Sequence, residues 1–523
     1  MKRVVIIGGG ITGLAAAHRV LERSRELGIQ VQLTLVEASN RLGGIVQSHE
    51  RDGFLLESGP DSFISEKPAA LELARRLGLE SHLIETNRSH RRSFIVRQGR
   101  LLPVPEGFHL LAPSRFWPFV KSNIFSPLGK ARMALDLVLP RRRLNGSAFD
   151  NADESLAQFV RRRLGREALE RMAQPMIGGI YTADPEQLSL RATMPRFLEM
   201  EREHGSVIRA LRKQNKGAPV ARGPAIRGNS PTEGSGIAQG TSGARYSLFL
   251  SFDRGMQLLT DKLAERISNF KSEISDLQSQ ISYEDSSNQP RIRLNTTVES
   301  IARECVDSAG EHSKHWKIKT DQNETIVADA VCLALPAYVS ARLLSSIDTR
   351  VASELEGISY ASSATINVAY KREDIPHPLD GFGFVVPFIE KRTVMACTFS
   401  SVKFPGRAPE GHALLRAFVG GALQPQLFNL TPDQLVSTVR GDLRGLLGIE
   451  RAPLFAEVTK WERSMPQYHV GHLGRVKRIE ERLASLSGLT LAGNAYTGLG
   501  IPDCIRSGEN AADKVVGSPQ SGV

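Results

Sequence analysis

The chain opens RVVIIGGGITGLAAAHRV at residues 3–20, and no other stretch restricts its fold so tightly. Val4 to Ile7 is a continuous apolar run, the pattern of a parallel strand covered on both faces. From Leu14 onward, Leu14, Ala15, Ala17, Val20 and Leu21 fall at mixed helical spacings, the pattern of a largely buried helix. Between the two, Gly8-x-Gly10-x-x-Gly13 permits a tight turn, close approach of a pyrophosphate, and close helix–strand packing, in that order. Gly9, Ile11 and Thr12 complete the loop, and the N–H groups of the helix start favour an anion there. A second strand, Val31 to Val36, ends at Glu37, 24 residues after Gly13. A carboxylate at that point would hydrogen-bond a ribose hydroxyl, so the segment predicts a bound dinucleotide. Spacing alone does not say which dinucleotide, and Glu37 read by itself is also an ordinary acid at a strand end.

At 523 residues the chain can bury a large core in two or three domains. No stretch approaches the run of about 18 apolar residues that a membrane-spanning helix needs. The first strand begins almost at residue 1, which leaves no room for a cleaved signal peptide. Cys305, Cys332, Cys397 and Cys504 are widely separated, with no CxxC pair or disulfide framework, so a reducing, cytoplasmic setting is expected. The 12 histidines show no ligand spacing, and no metal site is expected. Net charge is +11, from 67 Lys and Arg against 56 Asp and Glu. Such a surplus attracts anionic lipid or an acidic small molecule, or simply keeps a large protein soluble. No nucleic-acid module accompanies it.

Along the chain, SEKPAALELARRLGLE reads as a short helix with Pro68 near its start and Gly78 near its end. Residues 101–140 interleave aromatics with basic residues in FHLLAPSRFWPFVKSNIF, then close an apolar run with three arginines. Two readings fit: helices packing on one another, or a surface that dips into a membrane interface. Residues 214–245 are dominated by Gly, Pro, Ser and Thr and read as a disordered insertion. Residues 290–335 read as strand-rich, and 364–420 alternate in the manner of an antiparallel sheet. The chain closes with the strand LTLAG, a glycine-rich loop and the helix IRSGENAADKVV. If the first and last segments flank one dinucleotide, the cofactor domain is discontinuous.

Three further loops carry a resemblance: EASNRLGG at 37–44, ESGPDSF at 57–63 and LAGNAYTGLGIPDCIRSGENAA at 491–512. Together with the opening motif they resemble the FAD-dependent amine-oxidase-like superfamily. More narrowly, GGIYTADPEQLSL at 178–190, SFDRGMQLL at 251–259 and TFSSVKFPGRAPEGHALLRAFVGGA at 398–422 resemble the oxygen-dependent porphyrinogen oxidases of haem synthesis, in particular their bacterial branch. The resemblance covers the chain except 214–245. It implies an α/β fold: a discontinuous Rossmann-type FAD-binding domain (1–90, 250–337 and 465–517), an inserted antiparallel-sheet substrate domain (91–100, 205–213 and 338–464) and a helical subdomain (101–204).

The resemblance also implies FAD as cofactor, with a porphyrinogen and molecular oxygen as reactants. Six electrons leave in three two-electron rounds, each releasing hydrogen peroxide. No side chain is expected to act as a catalytic acid, base or nucleophile. The implied FAD-binding residues are Gly8, Gly9, Gly10, Ile11, Thr12, Gly13, Glu37, Ala38, Arg41, Gly43 and Gly44, then Gly59, Pro60, Asp61 and Ser62. Val298, Trp461, Gly500, Ile501 and Pro502 complete them. A helix beginning near Pro502 would aim its positive end at the flavin N1–C2=O edge. Gly179 and Tyr181 are implied in the lining of the substrate cavity. Trp461 and Tyr181 also read as ordinary core, and Asp61 and Asp503 as helix caps.

Two departures bear on the substrate. Ile45 follows the Gly-Gly pair where many superfamily members carry Arg, and Ser93 stands where the mitochondrial type has a propionate-binding Arg. No charge is assigned at Ile45; Ser93, together with the C-terminal GLGIPDCI, tilts the expectation toward coproporphyrinogen III, with protoporphyrinogen IX as the alternative. Membrane-surface contact through 101–140 and a downstream haem-synthesis enzyme are the other expected partners. Two rival readings remain: an amine oxidase or carotenoid desaturase of the same superfamily, and a non-catalytic escort on the same scaffold like the prenyl-GTPase dissociation inhibitors.

Overall fold

The computed structural model describes residues 1–142, 153–217, 249–270, 290–308 and 311–517. Strand β1 (Lys2–Ile7) leads through the glycine turn into helix α1 (Ile11–Leu27), and β2 (Val31–Val36) follows. α1 begins at Ile11, ahead of the first apolar-periodic residue, because Gly10 in extended conformation serves as its N-cap. Its other end stops where Gly28 takes the left-handed conformation (φ 65°).

β1 and β2 lie in a five-stranded sheet of order Arg291–Arg293, β2, β1, Ala330–Leu333, Leu489–Leu491, and every pairing in it is parallel. Three distant parts of the chain therefore build one sheet. α1 and the C-terminal helix cover one face. The other face meets Ala337, Ala341, Leu344, Val351 and Leu355 of two helices, Ala337–Leu344 and Thr349–Glu356. Residues 338–358 were expected with the substrate domain. They pack on the parallel sheet instead, because that sheet needs apolar cover on both faces.

Helix α2 (Gln174–Tyr181) belongs to a second, mainly helical cluster. Val207, Ile208, Ala210 and Leu211 also sit there, so residues 205–213, expected with the substrate domain, join the helical unit. The helix Val207–Gly217 takes the first residues of the predicted insertion, and the remainder of that expectation lies outside the described residues.

A third unit is a seven-stranded sheet whose long strands are β3 (Tyr360–Lys371), β4 (His412–Gly420) and β5 (Phe455–Pro466). The sheet is mixed rather than wholly antiparallel: Gly383–Val385 pairs in parallel with Phe94–Arg97. The two strands lie nearly 300 residues apart, so no hairpin dictates their direction.

The 101–140 segment is part core and part surface. Phe119, Ile124, Phe125 and Met133 are buried in the helical cluster. Phe116, Trp117, Leu128 and Val138 stay exposed, at 53%, 69%, 83% and 76%.

One buried ion pair fastens the helical unit. Arg163 and Asp136 are both fully buried, with Arg163 Nε donating to Asp136 Oδ1 at 2.7 Å. The other Asp136 oxygen accepts from Ser206 Oγ at 2.6 Å and Ile208 N at 3.0 Å. Arg163 also donates to the carbonyls of Asp136 and Gly205. Removing the cation strands a buried carboxylate, so Arg163→Met is expected to cost about 3–5 kcal/mol. The check is the urea unfolding midpoint, with Asp136→Leu added on top expected to recover part of the loss.

Candidate functional site

The site lies at the carboxyl ends of β1 and β2, where ligands of open parallel sheets bind. Its glycines divide by what a Cβ would meet. At Gly8 (φ +108°) it would lie 2.4 Å from the Ala334 carbonyl oxygen, and at Gly13 1.8 Å from that of Gly8. At Gly9 it would meet Leu42 and Glu37. Those three are demanded by the protein's own packing. At Gly10 a Cβ would meet nothing within 4 Å, so the protein's own packing does not require glycine there. Gly10 also offers no capping side chain to α1, whose first N–H groups at Ile11, Thr12 and Gly13 start the helix.

Around this turn, Glu37 Oε2 accepts from Gly9 N at 2.6 Å and Oε1 from Ser39 N at 2.8 Å, which leaves each oxygen a further lone pair. Ala38 beside it is exposed. Gly43 N donates to Gly9 O at 2.8 Å, and Gly44 packs on the Gly10 backbone. Arg41 does not point outward; it braces this loop through the carbonyls of Gly44 and Val46, both at 2.7 Å. Val298 is buried two residues beyond Thr296, whose N–H bonds the Glu37 carbonyl.

The segment 57–62 is held from below by the seven-stranded sheet. Asn367 of β3 donates to the Glu57 carbonyl at 3.1 Å. Thr365 of β3 and the Trp461 indole of β5 both donate to the Ser58 carbonyl, at 2.9 and 3.0 Å. Arg416 of β4 donates to the Gly59 carbonyl. A Cβ on Gly59 would lie 1.7 Å from the Ile45 carbonyl oxygen, which explains the glycine; Pro60 follows it at the surface of the cleft.

Asp61 is not a helix cap. Lys403 Nζ reaches both its oxygens at 2.8 and 2.9 Å, and Ser62 Oγ donates to it at 2.7 Å. Burial alone would raise the Asp61 carboxyl, but Lys403 and Arg416 outweigh it and hold the group well below the usual range. Glu57 behaves oppositely. Burial pushes it up to about 7 against the pull of Ser48 (2.5 Å), the Arg407 charge and Met256 N. Lys403, Arg407, Arg416 and Glu57 had no assigned role in the sequence reading. A lone Arg in HALLRAFVG and a lone Asn in TINVAYK, within strands otherwise apolar, were the available signal.

Opposite stands helix α4 (Ile501–Val516), reached after α3 (His472–Leu483). It begins at Gly500 with no side-chain cap and Pro502 in its first turn. Asp503 is not its cap either; it pairs with Lys67 at 2.6 Å. α4 lies against α1, and a Cβ on Gly508 would be 2.3 Å from the Thr12 carbonyl oxygen.

The two cavity candidates diverge. Gly179 is exposed beside Val385, whereas Tyr181 turns its hydroxyl to the Thr193 carbonyl at 3.3 Å and packs on the helical cluster. A small cleft nearby is lined by Gly178, Thr182, Val386, Leu423 and Gln424.

An open glycine cradle, two uncapped helix N-termini and a carboxylate with spare lone pairs fit a dinucleotide cofactor. Residues 11–516 match the flavin containing amine oxidoreductases, and the chain belongs to that family. It is an oxidoreductase whose cofactor is FAD, which removes the escort reading. The chain is 33% identical to coproporphyrinogen III oxidase of Bacillus subtilis, over 98% of this chain and 97% of the relative. It is 28% identical to chloroplastic protoporphyrinogen oxidase of Nicotiana tabacum, over 98% and 85%. A crystal structure from Exiguobacterium, provisionally named a protoporphyrinogen oxidase, superposes with a TM-score of 0.78 at 30% identity, covering 98% of each chain.

Gly10→Leu is expected to fold normally, because its side chain enters open space, and to lose nearly all bound FAD. The ratio of flavin to protein absorbance in the purified variant, beside its circular dichroism, checks both halves. Full FAD occupancy would show that Gly10 faces no cofactor.

Proposed function

We propose that the chain oxidises coproporphyrinogen III to coproporphyrin III in haem synthesis, with release of hydrogen peroxide. The observation that carries this reading is its likeness, along nearly the full length of both chains, to the Bacillus enzyme of that name. In this reading bound FAD would supply the two-electron redox chemistry, with oxygen as the final acceptor, over three rounds.

The chain's own residues bind and orient. Gly10 and the N–H groups of Ile11 to Gly13 take the pyrophosphate, backed by Gly8, Gly9, Gly43 and Gly44. Glu37 takes ribose hydroxyls with its spare lone pairs, with Ala38 and Val298 beside the adenosine end. Gly59 to Ser62, Trp461 and the start of α4 at Gly500, Ile501 and Pro502 surround the ring. The positive end of α4 favours the charge that a reduced flavin carries. Arg41 acts indirectly, by holding the Gly43–Gly44 turn. Gly179 lines the substrate side, with Tyr181 behind it.

Ser rather than Arg at position 93 supports the tetracarboxylate substrate. Ser93 stands at that place, its carbonyl bonded to Val104 N at 2.9 Å. Its basic neighbours are engaged elsewhere, Arg91 near Glu85 and Arg92 with Asp380. Four propionates held by distributed contacts at a basic mouth make capture sensitive to salt. Parallel assays under matched detergent are expected to give higher kcat/KM for coproporphyrinogen III than for protoporphyrinogen IX, falling as salt rises. The reverse order would overturn the substrate while leaving the flavin oxidase.

A membrane surface is the proposed second partner. Phe116, Trp117, Val120 and Leu128 are exposed within one short stretch, alongside Arg115 and Lys121. Aromatic and aliphatic side chains rimmed by cations suit an anionic interface. No helix among the described residues is long and apolar enough to cross a bilayer. Sedimentation with vesicles containing phosphatidylglycerol is expected to retain the protein, and Trp117→Ser with Leu128→Ser to release most of it. Equal sedimentation of the double variant would exclude this face.

A further inference from the structure

The loop between Leu489–Leu491 and α4 carries no regular structure, yet it sets where α4 begins and how its N-terminus is aimed. Ser507 Oγ of α4 accepts from Gly493 N at 2.9 Å, and two side chains from before the loop brace it further. Tyr468 is 2% exposed, and its hydroxyl donates to the Asn494 carbonyl at 2.6 Å while accepting from Gly498 N at 2.7 Å. One hydroxyl thus closes both ends of the turn that precedes Gly500. His472, the first residue of α3, is 4% exposed and stacks on the Tyr468 ring, centroids 4.0 Å apart and 11° from parallel. Its Nε2 lies 3.1 Å from the Tyr496 carbonyl, an acceptor only, so that nitrogen carries a proton. Burial lowers this imidazole to about 4, so the ring is neutral at ordinary pH.

The other side of the same pair is tied to the helical unit. Ser189 N donates to the Tyr468 carbonyl at 2.8 Å, and Asp153 accepts from both Ser189 Oγ (2.8 Å) and Gly471 N (2.9 Å). Neither Tyr468 nor His472 belongs to the residues placed around the cofactor, and both are buried with their polar groups hydrogen-bonded.

We propose that Tyr468 and His472 are positioning residues for the flavin, forming a strut that fixes the α4 N-terminus against the helical wall of the substrate cavity. The inference rests on the proposed placement of the flavin ring before Gly500. Loss of either hydrogen-bonding group lets the loop relax, loosens the cofactor and changes the field at its ring, without touching it.

The test uses holoenzyme and reads FAD dissociation rate, the visible flavin spectrum and the flavin reduction midpoint. Tyr468→Phe keeps the stacked ring and removes only the hydroxyl. It is expected to release FAD about tenfold faster, the change of roughly one to two lost hydrogen bonds, and to shift the visible band and the midpoint. His472→Leu is expected to do the same, while His472→Gln, which keeps an N–H donor, restores most of the wild-type values. Gly500→Asp puts a carboxylate at the helix start, where φ is −73° and a Cβ meets only Asp503 and Pro502. It tests the flavin placement separately. A spectrum changed in Gly500→Asp but unchanged in Tyr468→Phe overturns the strut and leaves the placement standing. No change in either overturns both. Should Tyr468→Phe fail to fold, the histidine pair decides: equal loss in His472→Leu and His472→Gln reduces the role to ring packing and overturns the proposal.

Discussion

Backbone resting directly on backbone is the contact from which the rest of the molecule takes its arrangement. Gly13 sits on the Gly8 carbonyl, Gly8 on Ala334, and Gly508 on Thr12, all closer than any side chain allows. These contacts draw β1, α1, the strand Ala330–Leu333 and α4 together at one end of the parallel sheet. Both helices start without a side-chain cap, α1 at Gly10 and α4 at Gly500. Gly10 differs from its neighbours because nothing in the protein forbids a side chain there. The turn contains glycines that shape the fold and one, Gly10, that opens onto empty space.

The second sheet reaches the same opening through carbonyl groups. Asn367, Thr365, Trp461 and Arg416 donate to three consecutive carbonyls, those of Glu57, Ser58 and Gly59. Buried backbone acceptors of an irregular loop would otherwise lack partners, at a cost of about 1–3 kcal/mol each. The Asp61–Lys403 pair closes the arrangement beneath the loop. Burying charge there makes this one of the least forgiving places in the molecule, since removing either partner leaves the other uncompensated. Hydrogen bonds thereby join the 57–62 segment to the seven-stranded sheet, beside a small apolar cluster of Phe54, Leu56, Ala369, Leu414 and Phe455.

What the sequence made legible follows from the range of each interaction. β2 runs Val31–Val36 as read, and the α1 region and first strand are recognisable, because strand period, helix period and turn chemistry are local. The start of α1 was misplaced since Gly10, not an apolar residue, sets it. AYVSARLL at 337–344 reads as an amphipathic helix, but nothing in its pattern says which sheet receives its apolar face. It went to the parallel sheet. The parallel pairing of Phe94–Arg97 with Gly383–Val385 and the Lys403–Asp61 pair, 342 residues apart in sequence, are fixed only by the assembled fold. Composition in 101–140 allowed two readings; the packing one holds for Phe119, which faces the core, while Trp117 faces solvent.

The order of the segments has a consequence for how the site can form. Its first wall is α1, and its last is α4, whose Asp513 accepts from Arg19 Nε at 3.0 Å across 494 residues. Closing so long a loop costs little more entropy than closing one half its length. Delay is the greater penalty, because contacts of such separation form late. Until α4 docks, the apolar face of α1 lacks its partner and one of the two uncapped N-termini is missing. The sheet built from β3, β4 and β5 has no such dependence, since its principal pairings lie within 360–466. The inserted unit can therefore fold before the unit that contains it, and a ligand spanning α1 and α4 would stabilise chiefly the last step of assembly.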